Sequence, residues 1–303
     1  SENHHPGIDN SGPFLAMNPF SSRCCQHNHA QGWPYYSEHL ILATPDNGAA
    51  IALYAACKAT LKVADGQEIT LHEQTNYPFE EKISFTVNTT EDVRFPFYLR
   101  IPSWCDQPEL AINGKQKEID PIPGKYIYID RTWTDGDKVE LNLPMKLSIH
   151  TWQVNKNSVS VNYGPLTLSL KINEEYIQKD SRSTAIYDSR WQEGADATQW
   201  PSYEIFPKSP WNYALVLDSK VPLKNFKVIR KEWPSDNFPF TVSNVPLEVK
   251  AIGKQIPSWT LDKYGLCSEL PETNAPKGDR EEITLIPMGA ARLRVSAFPN
   301  TYE

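Results

Sequence analysis

Lys82-Ile83-Ser84-Phe85-Thr86-Val87 and, shortly after it, Arg94-Phe95-Pro96-Phe97-Tyr98-Leu99-Arg100-Ile101 decide the architecture of this chain. Both stretches alternate apolar and polar residues at a period of two. Both also draw on the aromatic and β-branched types that suit a pleated, half-buried surface. The same period runs through 50–54, 60–63, 69–73, 126–129 and 138–143. Asn113-Gly114, set between Leu110-Ala111-Ile112 and Lys115-Gln116-Lys117, is a strong hairpin signal. Strands at this spacing predict one antiparallel sandwich over 48–150. A second β unit is expected over 151–303, from strands at 158–163, 166–170, 213–217, 226–229, 247–251, 283–286 and 291–297. Its last strands either close that unit or return to the first. Residues 187–211 and 266–282 read as irregular.

Upstream of Gly48 the pattern changes. Residues 1–22 are turn-rich, and 28–44 read as the one convincing helix, stopped by Pro45-Asp46-Asn47-Gly48. Pro34 within that helix either kinks it or opens a second segment. The fold class expected is therefore mainly β: two consecutive antiparallel β-sandwich domains preceded by a short loop and helix over 1–47.

Bulk composition narrows the function. The chain has 303 residues, 40% of them hydrophobic and 22% charged, which is ordinary for a globular protein. A net charge of −7 without a basic run argues against nucleic acid as a partner. No apolar stretch approaches the roughly 18 residues of a membrane helix, so no membrane partner is expected. The five cysteines, at 24, 25, 57, 105 and 267, have no repeating spacing and do not form a disulfide framework.

The chemistry-bearing stretch is Arg23-Cys24-Cys25-Gln26-His27-Asn28-His29. Vicinal cysteines make a poor disulfide, because the S–S torsion needs well-separated backbones. They serve well as two soft donors to one metal ion, or as a reactive thiolate beside a metal-bound one. Two buried, inert thiols are an equal reading. Cys-Cys-x-His-x-His is too tight for one ion to take all four side chains, so further metal ligands should come from distant sequence or another part of the protein. A helix beginning near Asn28 would favour a Cys24 thiolate at its amino end. His27 and His29 read as ligand contacts or as helix-cap histidines. Trp33, Tyr35, Tyr36, Trp104 and Trp133 can stack on sugar rings or fill cores. Neither Asp9 nor Glu38 makes a convincing acid/base carboxyl group.

Several motifs in order carry a likeness. They are Pro6-Gly7-Ile8-Asp9-Asn10, the cysteine stretch above, Gly32-Trp33-Pro34-Tyr35-Tyr36, Ala52-Leu53-Tyr54-Ala55 and Thr75-Asn76-Tyr77-Pro78-Phe79. Phe97 through Cys105, Thr284-Leu285-Ile286-Pro287-Met288-Gly289 and Leu293-Arg294-Val295 complete the set. Together they resemble the β-L-arabinofuranosidases of glycoside hydrolase family 127. The resemblance implies an amino-terminal (α/α)6 barrel followed by β-sandwiches, with 1–47 here as the end of that barrel. It also implies a zinc ion held by a glutamate and three cysteines, and a retaining mechanism. Carried onto this chain, Cys24 is nucleophile and zinc ligand, and Cys25 a zinc ligand. His27, His29 and Trp33 become candidate substrate contacts. The acid/base glutamate and remaining zinc ligands would lie upstream, so the expected partners are a carbohydrate substrate and a missing amino-terminal barrel portion. The residues alone leave the location unknown, and the resemblance favours a periplasmic or secreted one. Gln26-His27-Asn28 stands where characterised relatives favour prolines, so the sugar need not be theirs. The other class of function compatible with the residues is a non-catalytic carbohydrate-binding or structural β module.

Overall fold

A computed structural model describes residues 24–180, 193–194, 196–199, 201–261 and 267–303, with side chains from Ala30 onward except those of Lys179, Ala197 and Ser202. The expectations for Pro6–Asn10, Asp9 and Arg23 lie outside the described residues.

The helix α1 spans Cys24–Glu38, with Pro34 inside it. It starts earlier and ends sooner than the 28–44 read from sequence. Its last carbonyls find donors just past the helix: His39 Nδ1 donates to Tyr35 O at 2.6 Å, His39 N to Tyr36 O at 3.3 Å and Leu40 N to Ser37 O at 3.4 Å. Leu40 is then buried, and its carbonyl accepts from the Ala52 and Leu53 N–H groups. Ile41–Ala43, expected to be helical, is strand β1.

The first β unit comprises 29–146 and 163–166. Its strands after β1 are β2 (Ala49–Ile51), β3 (Cys57–Val63), β4 (Gln67–Thr75), β5 (Lys82–Thr89) and β6 (Val93–Arg100). They are followed by β7 (Glu109–Ile112), β8 (Lys115–Lys117), β9 (Tyr126–Trp133) and β10 (Asp137–Asn142). They form a four-stranded sheet, β1-β2-β6-β9, facing a six-stranded sheet, β3-β4-β5-β10-β7-β8. Only β2 and β6 pair in parallel here. Period-two alternation decides which side chains meet: Phe95, Phe97 and Leu99 of one sheet join Ile69, Leu71, Ile83 and Phe85 of the other in a single core. Gly48 enters β2 so close to β6 that a Cβ there would sit 2.2 Å from the Pro96 carbonyl oxygen. The Asn113-Gly114 turn joins β7 to β8 with both residues at positive φ, as the two-residue hairpin requires.

Asp137, only 5% exposed, ties that hairpin down. Its carboxylate accepts from Asn113 Nδ2 at 2.6 Å and Thr134 N at 3.0 Å, with Arg131 Nη2 at 3.2 Å. Those donors hold its carboxyl below the usual range although burial alone would raise it. An Asp137→Ala variant would strand an amide and a guanidinium, and is expected to lose about 2–3 kcal/mol in urea denaturation. Unchanged stability would show that the turn does not need the carboxylate.

The second unit includes 147–162 and 167–303. Its strands are β11 (Leu147–Trp152), β12 (Ser158–Tyr163), β13 (Leu166–Leu170), β14 (Glu174–Lys179) and β15 (Ser202–Pro207). Then come β16 (Tyr213–Leu217), β17 (Lys227–Arg230), β18 (Leu247–Gln255), β19 (Arg280–Pro287) and β20 (Asn300–Tyr302). Eight strands form one sheet in the order β11-β12-β13-β19-β18-β16-β20, with β17 on β18, while β14 and β15 pair separately. Val161, Leu168, Leu215, Val249, Leu285 and Phe298 converge in one core, so the sheet closes over its own inward face. Glu248 is 7% exposed and lies at 2.7 Å from Lys171 and 2.5 Å from Lys231, which keep it ionised against the effect of burial.

The strand expected at 291–297 does not form. Glu174 Oε1 instead accepts the Arg292 and Leu293 N–H groups at 2.8 and 3.1 Å, and Arg294 Nε donates to Ala291 O. A side chain thus supplies what a ladder partner would have supplied. Among the described residues, no helix is long and apolar enough to cross a membrane.

Candidate functional site

The described part of α1 starts at Cys24, so the cysteine pair lies on this helix. Along the helix, Cys24 and His27 are three residues apart and Cys25 and His29 four, so each couple shares a stripe of the backbone cylinder. The side chains of Cys24, Cys25, His27 and His29 lie outside the described residues. Trp33 does not: it is 58% exposed and meets Tyr36 edge-on at 6.1 Å between ring centroids. Glu38 is exposed, 3.6 Å from His39 Nδ1. Of the other aromatic candidates, Tyr35 is exposed, Trp104 is half-buried and Trp133 is core.

Two soft thiol donors suit zinc, and a closed site needs about four ligands. Among the described residues no group of three or more His, Cys, Asp or Glu side chains could hold a metal. The pair offers two of the donors that such a site would use.

A residue that the sequence reading passed over is Glu73. It belongs to β4, on the same inward row as Ile69 and Leu71, and is 1% exposed. Its Oε1 accepts from Ala55 N at 3.1 Å, and the Cys57 thiol donates to Oε2 at 3.8 Å. No cation is among the groups that shift its titration, and burial pushes its carboxyl up to about 8. Burial and the nearby Glu73 charge in turn push the Cys57 thiol up to about 11, and the same two causes raise the Tyr36 phenol. Glu73 thus stores a proton within electrostatic reach of the carboxy-terminal turn of α1. Strand parity with Ile69 and Leu71 was the signal that could have found it.

The opposite, solvent-facing side of the four-stranded sheet carries tyrosines. Tyr98 on β6 lies across from Tyr128 on β9, with ring centroids 5.1 Å apart, and Tyr126 stands two residues back along β9. Tyr126 and Tyr128 are exposed. Tyr98 Oη donates to Asp46 Oδ2 at 2.5 Å, and that bond pushes its phenol up to about 12.

Residues 48–145, almost the whole of the first β unit, match the family model of the β-L-arabinofuranosidase GH127 middle domain. No curated protein sequence matches the chain. Among solved structures it is similar to a GH127 β-L-arabinofuranosidase from Geobacillus stearothermophilus T6, at 20% identity and a TM-score of 0.62 over 96% of this chain. It is also similar to a protein described as a glycoside hydrolase, at 19% identity and a TM-score of 0.62 over 95% of this chain. A further GH127 β-arabinofuranosidase aligns at 21% identity and a TM-score of 0.60 over 96% of this chain. The chain spans only 40% of the first structure's length and 41% of the other two.

Proposed function

We propose, from the premise that its middle domain at residues 48–145 makes this chain a member of the GH127 family, that it is the carboxy-terminal part of a retaining glycoside hydrolase. The substrate class is an arabinofuranoside-like glycan, and Cys24 is the nucleophile. The observation that carries the reading is the order of parts: a helix bearing a cysteine pair is followed at once by a GH127 middle domain.

In this reading the Cys24 thiolate gives its electron pair to the anomeric carbon, forming a C–S bond as the C–O bond to the leaving alcohol breaks. That oxygen takes a proton from a carboxylic acid outside this chain. Water then forms a new C–O bond at the same carbon, losing its proton to the same carboxylate, and sulfur departs as thiolate, so the configuration is retained. Bound zinc would keep the sulfur deprotonated and temper its basicity, with Cys24 and Cys25 as the donors this chain offers. His27, His29 and Trp33 are the proposed substrate contacts.

Zinc titration by calorimetry tests this. The chain is expected to bind zinc through the pair, with affinity falling roughly tenfold or more in Cys24→Ser or Cys25→Ser. It is also expected to release no measurable arabinose from arabinofuranosides by itself. Equal zinc binding by the chain and both variants, or clear hydrolysis by the chain alone, overturns the assignment. The tyrosine face favours a second role for the β units, recognition of glycan without chemistry.

A further inference from the structure

The solvent face of β6 and β9 is built for a ligand with one apolar side and many hydroxyl groups. Alternation turns Tyr98, Tyr126 and Tyr128 outward, and register sets Tyr98 beside Tyr128. Tyr126 lines an open depression of about 460 Å³, with Pro45, Ala50 and Tyr98. Tyr128, farther along the same strand, borders a second of about 640 Å³ that opens past the β9 edge, where Asp130, Arg131 and Ile129 meet Lys115 and Lys117 of β8. Between and beside the rings lie fixed carboxylates. Asp46 accepts from Tyr98 and from Thr44 Oγ1. Asp130 is held by Arg94 through two bonds, Nη2 to Oδ2 at 2.9 Å and Nε to Oδ1 at 3.2 Å.

Charge chooses the ligand class. Arg94 neutralises Asp130, exposed Arg100 stands opposite Tyr126 in the register, and each carboxylate, with about four acceptor sites, keeps lone pairs for incoming donors. Two arginines against two aspartates leave aromatic surface and hydrogen-bonding groups without a strong field of either sign. A neutral oligosaccharide matches both properties: the C–H face of each sugar lies on a ring, and its hydroxyl groups donate to carboxylate and phenol oxygens.

We propose that this face is a binding site for a neutral oligosaccharide, separate from the cysteine pair, crossing β9 from one depression to the other. The proposal rests on the reading that the protein acts on sugars, but it does not need Cys24 to be the nucleophile. Calorimetric titration of the chain with a neutral arabinofuranose hexasaccharide, and with an acidic oligogalacturonate of equal length, tests it. The neutral ligand is expected to bind and the acidic one to bind at least fivefold more weakly. Tyr98→Ala and Tyr128→Ala should each weaken the neutral ligand by about fivefold to tenfold, given what an aromatic contact is worth. Tyr128→Phe should retain most of the affinity, because the ring face stays. Thermal unfolding midpoints should not move in Tyr128→Ala, whose side chain faces solvent. Binding unchanged by Cys24→Ser separates this site from the catalytic one, whose own test is zinc affinity. Absence of binding, equal binding by the alanine variants, or a preference for oligogalacturonate overturns the proposal.

Discussion

Replacing Glu73 by glutamine is expected to remove most of the pH dependence of this protein's stability between pH 5 and 8. The folded carboxyl titrates near 8, against an ordinary value of 4.5. Below 4.5 the group is protonated in both folded and unfolded chains and contributes no slope. Between 4.5 and 8 the unfolded chain releases the proton while the folded chain keeps it, so stability falls as pH rises. The slope is on the order of 1.4 kcal/mol per pH unit, and the loss is complete once pH passes the folded value. Glutamine keeps the Ala55 N–H acceptor and never ionises. The variant should match the parent near pH 4.5 and exceed it by several kcal/mol at pH 8. Urea denaturation at pH 5, 6.5 and 8 reads this directly, with Glu68→Gln, an exposed neighbour on the same strand, as the control. Parallel curves for parent and Glu73→Gln would show that the buried carboxyl already ionises at little cost.

The pH behaviour connects to the site through α1. Tyr36, in the last turns of that helix, is within electrostatic reach of Glu73, and the cysteine pair stands at its other end. Ionising Glu73 puts a charge within electrostatic reach of Tyr36 in the helix's carboxy-terminal turns. Loss of helix anchoring at alkaline pH is the expected consequence, and Glu73→Gln should protect against it.

What could be read from the residues alone follows from how local each cause is. The alternation at 82–87 and 94–101 survives because a half-buried strand needs period two whatever its partners. Asn113-Gly114 survives because few other pairs accept two positive φ angles in succession. Ile41–Ala43 was misread as helix because Leu40 and Leu42 suit a helical stripe as well as a strand. The deciding contacts, Leu40 to Ala52 and β1 to β2, lie across a turn. The strand expected at 291–297 fails for the same reason at longer range, since Glu174 is far away in sequence. Cys24 and Cys25 were legible as a pair, but the elements that would complete a metal site were not, because ligands converge in space rather than along the chain. The outward parity of Tyr98, Tyr126 and Tyr128 is visible in the sequence, yet they are not among the aromatic candidates Trp33, Tyr35, Tyr36, Trp104 and Trp133, of which Trp133 takes the core reading.

That tryptophan gives the other large effect. Trp133→Ala is expected to cost about 3–5 kcal/mol, because the ring is the largest fully buried side chain in the first β unit. It packs against Phe95 and Phe97 with centroids 5.7 and 5.8 Å away, and Arg131 Cζ lies 4.9 Å from its centroid. Its Nε1 donates to the Phe95 carbonyl at 3.0 Å. Trp133→Phe restores most of the volume but leaves that carbonyl without its donor, and should cost about 1–3 kcal/mol. The gap between the two variants therefore separates packing from the hydrogen bond. A Trp133→Ala protein within about 1 kcal/mol of the parent would mean that the two sheets do not close on this ring. The folded Trp133→Phe variant carries a second reading: the ring faces inward while Tyr98 and Tyr128 face outward on the same two strands. Oligosaccharide affinity should stay at the parent level in Trp133→Phe and fall in Tyr128→Ala, so that stability and binding divide along the pleat of a single sheet.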